Sequence, residues 1–224
     1  MKLLRWGPKG SEKPGVLGSD GKRRDLSGVV ADIDGALLGS GLAALKGVDI
    51  DSLPLAKAGK FVCMGLNNSD HAAESGQPVP TEPIVFMKAT SAIIGPNDDV
   101  YLPPNSKKGD WEVELGVVIG KEAKYVGLDN ALDYVAGLVL VNDLSEREFQ
   151  LEKGSQWDKG KGCDTFGPFG PYLVTLDEAG DINNLGLWLD LNGKRGQTGN
   201  TKSMVFACAY PVHYLSQFLT LQPR

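Results

Sequence analysis

The sequence predicts a β-rich α+β fold, and three observations indicate it. Short apolar runs recur along the chain, several of them alternating with polar residues in the period of two that is typical of strands. The segments between these runs are short enough for only brief helices. The 224 residues include 29 glycines and 13 prolines, which favour many turns over a helical bundle. With 42% hydrophobic residues, the chain can bury one sizeable core or a main domain with a small appendage.

The first 55 residues are predicted to form a small N-terminal domain. It begins with a strand in MKLLRWGP and continues into a hairpin with an Asp20-Gly21 turn, a dipeptide that suits tight connections. A short helix is predicted over residues 41–54. Residues 55–60, LAKAGK, form the predicted linker to a catalytic domain that covers residues 60–224.

The predicted catalytic domain alternates strands with short helices. The strands are predicted from apolar runs at residues 60–66, 82–93, 110–120, 137–145, 171–178, 185–194 and 203–210. Helical turns are expected at residues 69–75, after Gly127 and at 146–153, and an amphipathic helix at 210–221. Residues 154–171 are glycine-rich and irregular, so we expect a long loop there.

Composition excludes several classes of function. The net charge is -5 and the pI is about 5.1, with no basic patch, so nucleic acid is not an expected partner. The three cysteines form no C-x-x-C pair, which favours a reduced, cytoplasmic setting over a disulfide framework. The N-terminus has no long apolar segment of a secretion signal, and no run is long enough to span a bilayer. We therefore expect a soluble, cytoplasmic protein without a membrane partner.

Three acidic residues form a candidate metal site. Glu112 and Glu114 are two residues apart in a predicted strand, so their carboxylates share one face. Asp143 follows the apolar run YVAGLVLVN at the end of another strand. Because like charges repel and are costly to bury, a divalent cation would relieve the cost, and oxygen ligands suit Mg²⁺, Mn²⁺ or Ca²⁺. The alternative is a solvated face of an antiparallel sheet.

His71 and Glu74 form a candidate general-base pair. In a helix, residues three apart share a face, and a carboxylate beside an imidazole orients it for activating water. An ordinary surface pair is the alternative. His213, the other histidine, is interpreted as structural or solvated because it lies among Tyr and Leu residues.

Three further residues could contact a ligand. Lys161 lies in the glycine-rich loop, where it could stabilise an enolate or carboxylate oxygen or belong to a mobile surface loop. Gln150 could donate to a ligand or lie on the surface. Lys88 ends a buried strand and either points into a site or extends to water.

Taken in order, these segments resemble the fumarylacetoacetate hydrolase family across residues 60–224. The resemblance is carried by KFVCMGLNNSDHAAESG, EPIVFMKATSAIIGPNDDV, DWEVELGVVIGKEAKYV, ALDYVAGLVLVNDLSERE, WDKGKGCDTFGPFGPYLVT and LNGKRGQTGNTKSMVF. It implies a mixed β-roll, usually dimeric, with a small N-terminal domain, and so a homodimer is expected. The subgroup it points to contains hydrolases of 2,4-diketo-3-deoxy sugar acids and of acylpyruvates.

The resemblance also assigns roles. It implies Mg²⁺ or Mn²⁺ on Glu112, Glu114 and Asp143, and water activation by His71 with Glu74. Lys161 would steady the developing carbanion or oxyanion, and Gln150 and Lys88 would contact substrate. A metal-dependent hydrolase that cleaves a carbon–carbon bond in a small β-diketo acid is therefore expected.

The chain also departs from the family pattern. It stops at Arg224, where members continue with a strand and loop that line the pocket, so the catalytic domain is expected to be incomplete at its C-terminal end. Asn68 stands where the family usually has Tyr. Two alternatives therefore stay open: a decarboxylase or keto–enol isomerase on the same scaffold, or an inactive truncated homologue.

Overall fold

The computed structural model describes residues 1–39, 41–42, 58–70 and 76–223. Its thirteen strands in these ranges are β1 Lys2–Trp6, β2 Lys13–Leu17, β3 Arg23–Asp25, β4 Phe61–Gly65, β5 Ile84–Lys88, β6 Ile93–Ile94, β7 Gly109–Asp110, β8 Val113–Ile119, β9 Val135–Asn142, β10 Ser145–Glu146, β11 Gly167–Val174, β12 Gly186–Leu191 and β13 Lys194–Asn200. The α-helices are α1 Gly35–Gly39, α2 Asp158–Lys161, α3 Leu176–Ala179 and α4 Ala209–Ser216. Tighter or wider helical turns lie at Thr90–Ala92, Leu128–Tyr134, Glu148–Glu152 and Thr201–Ser203. The predicted β-rich α+β class is confirmed.

One large sheet organises the described chain. Six strands follow the order β3-β2-β1-β11-β9-β8, and β6 adds to β11 as the seventh. The pairs β4–β5, β7–β10 and β12–β13 form three small sheets. Because β9 lies between β8 and β11, its side chains are mostly buried, which explains its nearly continuous apolar sequence.

The N-terminal strands are continuous with the large sheet. β1 pairs antiparallel with β11, and β2 and β3 extend the sheet outward through a hairpin whose turn contains Asp20-Gly21. Leu3 and Leu26 are fully buried and share a core with Val139 and Leu173. The proposed boundary at residues 55–60 lies partly outside the described residues, so the division into two domains stays a prediction.

A second core lies beneath α4. Val212 and Leu215 of this helix pack with Ala123, Val126 and Leu221, all of them buried. The chain returns to this core at its end, where Leu221 donates to and accepts from the backbone of Ala123 at 2.9 Å. No helix among the described residues is both long and apolar enough to cross a bilayer.

Several element predictions need correction. Residues 203–210 form no strand: a helical turn at Thr201–Ser203 comes first, begun by the Asn200 side chain, which accepts from the amide of Lys202 at 2.9 Å. The apolar residues that follow are part of a turn and of the start of α4. In the sequence, such a short apolar run looks the same as a strand. The segment 154–171 is not a loop throughout, because it contains α2 and the start of β11. The predicted helix at 41–54 lies almost wholly outside the described residues.

Candidate functional site

Five of the eight predicted site residues line one large cavity: Glu112, Glu114, Asp143, Gln150 and Lys161. Its volume is about 780 Å³, and it lies between β4, β8 and the hairpin of β12 and β13. Polar residues in its wall include Asn67, Asn68, Asp70, Glu112, Glu114, Asp143, Arg147, Gln150, Lys161, Gln197 and Thr198. Apolar side chains of β4, β8 and α4 supply much of the remaining wall. Such a cavity, mostly apolar with a few convergent polar groups, is the usual form of a small-molecule site.

Strand pairing brings Glu112 and Asp143 together. Val113 at the start of β8 pairs with Asn142 at the end of β9. The next residues outward are Glu112 and Asp143, and the amide of Asp143 donates to the carbonyl of Glu112 at 2.8 Å. Glu112 is not itself in the strand, because the side chain of Asn142 accepts from its amide at 3.3 Å in place of a ladder bond. Both carboxylates are buried, at 8% and 6% exposure.

Two buried lysines pair with these carboxylates. The ammonium of Lys161 donates to Asp143 Oδ2 at 2.7 Å and also to Glu112 Oε2. Lys88 donates to the other oxygen of Asp143 at 2.6 Å and to the carbonyl of Leu144 at 2.9 Å. Both lysine side chains are nearly inaccessible to solvent. Both ammonium groups therefore lie in the interior, and contact of Lys88 and Lys161 with a substrate stays a prediction.

A tight approach of two backbone segments places Lys161. Gly160 of α2 lies against the turn Glu148–Glu152, and a Cβ at this glycine would lie 2.3 Å from the carbonyl oxygen of Glu146 and 2.6 Å from the amide of Gln150. Only glycine therefore permits this contact. Because Lys161 follows directly and Gln150 lies in the facing turn, the contact sets both side chains at the cavity wall.

Charge pairing favours the ionised forms of Lys161 and Glu112 despite their burial. Burial alone would lower the pKa of Lys161, but Glu112 and Asp143 outweigh it and raise the pKa above its ordinary value. Burial would raise the pKa of Glu112, and the neighbouring Lys161 and Arg147 reverse this and lower it. For Lys88, burial prevails over the attraction of Asp143, and its pKa is lowered.

Glu114 differs from the other two carboxylates. Its side chain is exposed, but to the cavity rather than to the outer surface. The surrounding protein, together with the charges of Glu112 and Asp143, raises its pKa to about 8. Among the described residues none donates a hydrogen bond to its carboxylate. Of the three carboxylates predicted to bind the metal, Glu114 is therefore the one that lacks a direct cationic partner among the described residues.

The carboxylate oxygens of the site suit a hard divalent cation, but among the described residues they are not arranged as a complete set of metal ligands. The three carboxylates are all-oxygen donors, and a cationic group, the Lys161 ammonium, already lies between two of them. The described ranges contain no cluster of three His, Cys, Asp or Glu side chains arranged to hold a metal. Metal ligation by Glu112, Glu114 and Asp143 thus stays a prediction.

The predicted general-base pair is not described. His71 and Glu74 lie in residues 71–75, outside the described ranges. The residues just before them, Asn67, Asn68 and Asp70, line the cavity. His213 accords with its structural interpretation, since its Nδ1 lies 2.7 Å from the carbonyl oxygen of Val126 and its ring packs on Tyr210.

Sequence reasoning missed Arg147 and Asp110. Arg147 donates to Glu112 Oε1 and to Asp110 Oδ2, both at 2.7 Å, and to Gln150 Oε1 at 2.9 Å. A signal was present, because the helical turn predicted at residues 146–153 places Arg147 and Gln150, three residues apart, on a common side. Glu146 was not singled out either; it is fully buried and accepts from the backbone amides of Lys107, Lys108 and Glu148, so it stabilises the loop instead of facing the cavity.

The pKa of Glu114 leads to a prediction about stability. Between its ordinary pKa of 4.5 and about 8, the folded protein binds more protons at this group than the unfolded chain does. Stability of the metal-free protein should therefore fall as pH rises through this range and level off above it. Glu114→Gln removes the titration, so the variant should melt higher than the wild type at pH 9 and equally at pH 5. Since solvent in the cavity screens the charge, we expect roughly 2–4 °C, measured by thermal unfolding.

A matched control is available on the surface. Glu122 is exposed and accepts from Gln222 at 3.0 Å, so Glu122→Gln should show no gap that grows with pH. Adding Mn²⁺ at pH 9 should raise the melting temperature of the wild type more than that of Glu114→Gln. A constant gap at all pH values would contradict the raised pKa of Glu114.

The strand-rich fold encloses a cavity of the kind that binds small molecules, and the comparisons identify the family. The model of the fumarylacetoacetate (FAA) hydrolase C-terminal domain matches residues 60–224. The chain belongs to the fumarylacetoacetate hydrolase family. A Burkholderia lata protein, provisionally named a hydrolase, is 56% identical over 235 residues that cover 100% of this chain and 83% of that protein.

Solved structures agree with this assignment. Fumarylacetoacetate hydrolase from Exiguobacterium antarcticum is 28% identical, with a TM-score of 0.80, over 100% of this chain and 83% of that one. 5-Carboxymethyl-2-hydroxymuconate delta-isomerase from Mycobacterium smegmatis is 29% identical, with a TM-score of 0.79, over 100% and 84%. The 2-hydroxyhepta-2,4-diene-1,7-dioate isomerase from Mycobacterium marinum is 31% identical, with a TM-score of 0.77, over 100% and 84%. The fold therefore accommodates both hydrolases and isomerases.

Proposed function

We propose that the chain is a metal-dependent hydrolase that cleaves a carbon–carbon bond in a small β-diketo acid, either a 2,4-diketo-3-deoxy sugar acid or an acylpyruvate. The observation that carries the proposal is the convergence of Glu112, Asp143 and Lys161 in the wall of one cavity, with Glu114 beside them. Family membership and the hydrolases among the relatives support it. The proposed cofactor is Mg²⁺ or Mn²⁺, held by Glu112, Glu114 and Asp143.

The proposed mechanism assigns a task to each of the chain's own groups. A bound divalent cation would polarise the substrate carbonyl and stabilise negative charge on its oxygens. Lys161 stays protonated because Glu112 and Asp143 raise its pKa, so it can donate to the enolate oxygen that develops as the bond breaks. His71, oriented by Glu74, would take a proton from the water that attacks the distal carbonyl. Gln150 would donate to a substrate oxygen, and Lys88 would hold Asp143 in place.

An isomerase is the second candidate, because two of the similar solved structures carry isomerase names. A keto–enol isomerase or a decarboxylase needs the cation and Lys161 but no water-activating pair. The two candidates therefore differ in their dependence on His71. A homodimer and a cytoplasmic setting are part of the proposal and are tested by light scattering and by cell fractionation.

The proposed function is tested with the purified 224-residue protein and acetopyruvate. Loss of the ultraviolet band of the diketo acid should require Mg²⁺ or Mn²⁺ and should be accompanied by stoichiometric acetate and pyruvate. Release of carbon dioxide would indicate a decarboxylase, and a change of tautomer without acid release would indicate an isomerase. Absence of any change with either metal, over a panel of diketo acids, would contradict the proposal.

A further inference from the structure

Arg147 joins two groups of the site that do not otherwise touch. Its Nη2 donates to Glu112 Oε1 at 2.7 Å, while its Nη1 donates to Gln150 Oε1 at 2.9 Å. The other side of the guanidinium is held by Asp110, which accepts from Nε at 2.9 Å and from Nη2 at 2.7 Å. The backbone amide of Arg147 donates to the carbonyl of Lys108 at 2.9 Å, which fixes the residue at its base. The guanidinium is therefore held on both sides, by Asp110 on one and by Glu112 and Gln150 on the other.

The contact with Gln150 fixes the direction of its amide. A guanidinium has only N–H donors, so the group of Gln150 that faces it must be the oxygen. The amide nitrogen is then turned away from Arg147. No described residue accepts a hydrogen bond from this nitrogen, and Gln150 lies in the cavity wall although it is only 3% exposed. Gln150 therefore offers two N–H donors to a ligand in the cavity, and an oxygen-rich anion is the chemistry that suits them.

The contact with Glu112 fixes a carboxylate in the same way. Lys161 holds one oxygen of Glu112, and Arg147 holds the other. Partners that orient a ligating carboxylate govern the affinity of the site for its cation, because a freely rotating carboxylate must be ordered when the cation binds. Arg147 is thus placed to influence cation binding and anion binding through two separate side chains.

We propose that Arg147 is a positioning residue that orients both the Glu112 carboxylate for a cation and the Gln150 amide for an oxygen of the ligand. The inference rests on the proposed function and deepens it. Lysine cannot replace Arg147, because an ammonium lacks the planar fork that reaches Asp110, Glu112 and Gln150 at once. The charge of the site is the same in an Arg147→Lys variant, so a loss there reports geometry.

The test measures two affinities on each purified protein. Mn²⁺ binding is followed by the paramagnetic resonance signal of the free ion, and oxalate binding to the Mn²⁺-loaded protein by calorimetry. Oxalate is the probe because its adjacent carboxylate oxygens resemble the 2-keto acid end of a diketo acid. Arg147→Lys should weaken Mn²⁺ binding about 10–100-fold, and weaken oxalate binding as well. Gln150→Leu should leave Mn²⁺ binding within about twofold and weaken oxalate binding roughly 10-fold.

Two further variants make the result specific. Arg195→Lys is the matched control: Arg195 is exposed, pairs with Asp190 and is not part of the cavity wall, so both affinities should stay unchanged. Asp110→Asn frees the guanidinium without changing Arg147, Glu112 or Gln150. The loss of a negative charge alone would strengthen binding of the oxalate anion, whereas loss of positioning should weaken it. If Arg147→Lys fails to fold, Asp110→Asn still tests whether Arg147 positions the site.

The outcomes separate the inference from the proposed function. If wild-type protein binds neither Mn²⁺ nor oxalate, the proposed function is wrong and the inference is wrong with it. If the wild type binds both and Arg147→Lys binds both equally well, only the positioning role of Arg147 is overturned. If Gln150→Leu loses Mn²⁺ affinity as strongly as Arg147→Lys, the two groups are not set independently and the inference also fails.

Discussion

Asp143→Ala should destabilise the protein by roughly 3–5 kcal/mol, the usual cost of removing one partner from a buried ion pair. Asp143 is 6% exposed, and each of its oxygens accepts from a buried lysine, Lys88 at 2.6 Å and Lys161 at 2.7 Å. The substitution leaves the Lys88 ammonium with the carbonyl oxygen of Leu144 as its acceptor among the described residues, in an interior where an uncompensated charge is costly. Chemical denaturation of the metal-free protein measures the effect as a change in the midpoint at a constant slope.

A surface aspartate provides the control for this experiment. Asp190 is exposed and pairs with Arg195 at the tip of the β12–β13 hairpin, so Asp190→Ala should cost less than about 1 kcal/mol. Asp143→Asn should fall between the two, because the amide keeps one acceptor oxygen. If Asp143→Ala costs no more than Asp190→Ala, the buried charges are not coupled as the structure indicates.

His71→Ala should lower the turnover of a diketo acid roughly 10²–10⁴-fold, which is the usual scale for a general base. The physical reason is that water at neutral pH attacks a carbonyl slowly unless a base removes its proton during the attack. The measurement is the steady-state rate with saturating Mn²⁺ and acetopyruvate, followed by acetate release. The effect should appear mainly in kcat, because the imidazole is not required to bind the substrate.

The second histidine of the chain serves as the matched control. His213 is not part of the cavity wall, and His213→Asn retains a donor for the carbonyl of Val126, so turnover should change by less than about twofold. A near-normal rate in His71→Ala would remove this residue from the mechanism. It would also favour isomerisation or decarboxylation, neither of which needs an activated water.

Those parts of the fold that depend on local pattern could be predicted from the sequence. The Asp20-Gly21 hairpin and the Asn192-Gly193 turn between β12 and β13 are both present, because the dipeptides allow the backbone that such turns require. The prediction of a strand at residues 203–210 was wrong, because a short run of apolar residues can be buried equally well in a turn or at the start of a helix. The large sheet could not be derived, because the pairing of β1 with β11 joins residues far apart in the chain.

For the candidate site as well, the features set by local pattern could be predicted, and those set by contacts between distant residues could not. That Glu112 and Asp143 meet follows from their positions at the adjoining ends of two consecutive strands, β8 and β9. The buried positions of Lys88 and Lys161 could be named as one of two alternatives, and the structure decides between them. The pairing of Lys161 with both carboxylates, and the role of Arg147 between Glu112 and Gln150, depend on the close contact at Gly160 and on the turn after Asp143. The close contact at Gly160 has no signature in a single sequence, whereas the spacing of Arg147 and Gln150 in a predicted helical turn is visible there.

The central claim is that Glu112, Glu114 and Asp143 together hold one divalent cation, and anomalous diffraction from crystals soaked in Mn²⁺ tests it most directly. We expect one strong manganese peak within roughly 2.0–2.3 Å of an oxygen from each of the three carboxylates, with the Lys161 ammonium displaced from its present contacts with Glu112 and Asp143. We also expect Glu114→Gln crystals to lose most of this peak under the same soak. A peak elsewhere on the protein, or none while Lys161 still joins Glu112 and Asp143, would contradict the claim.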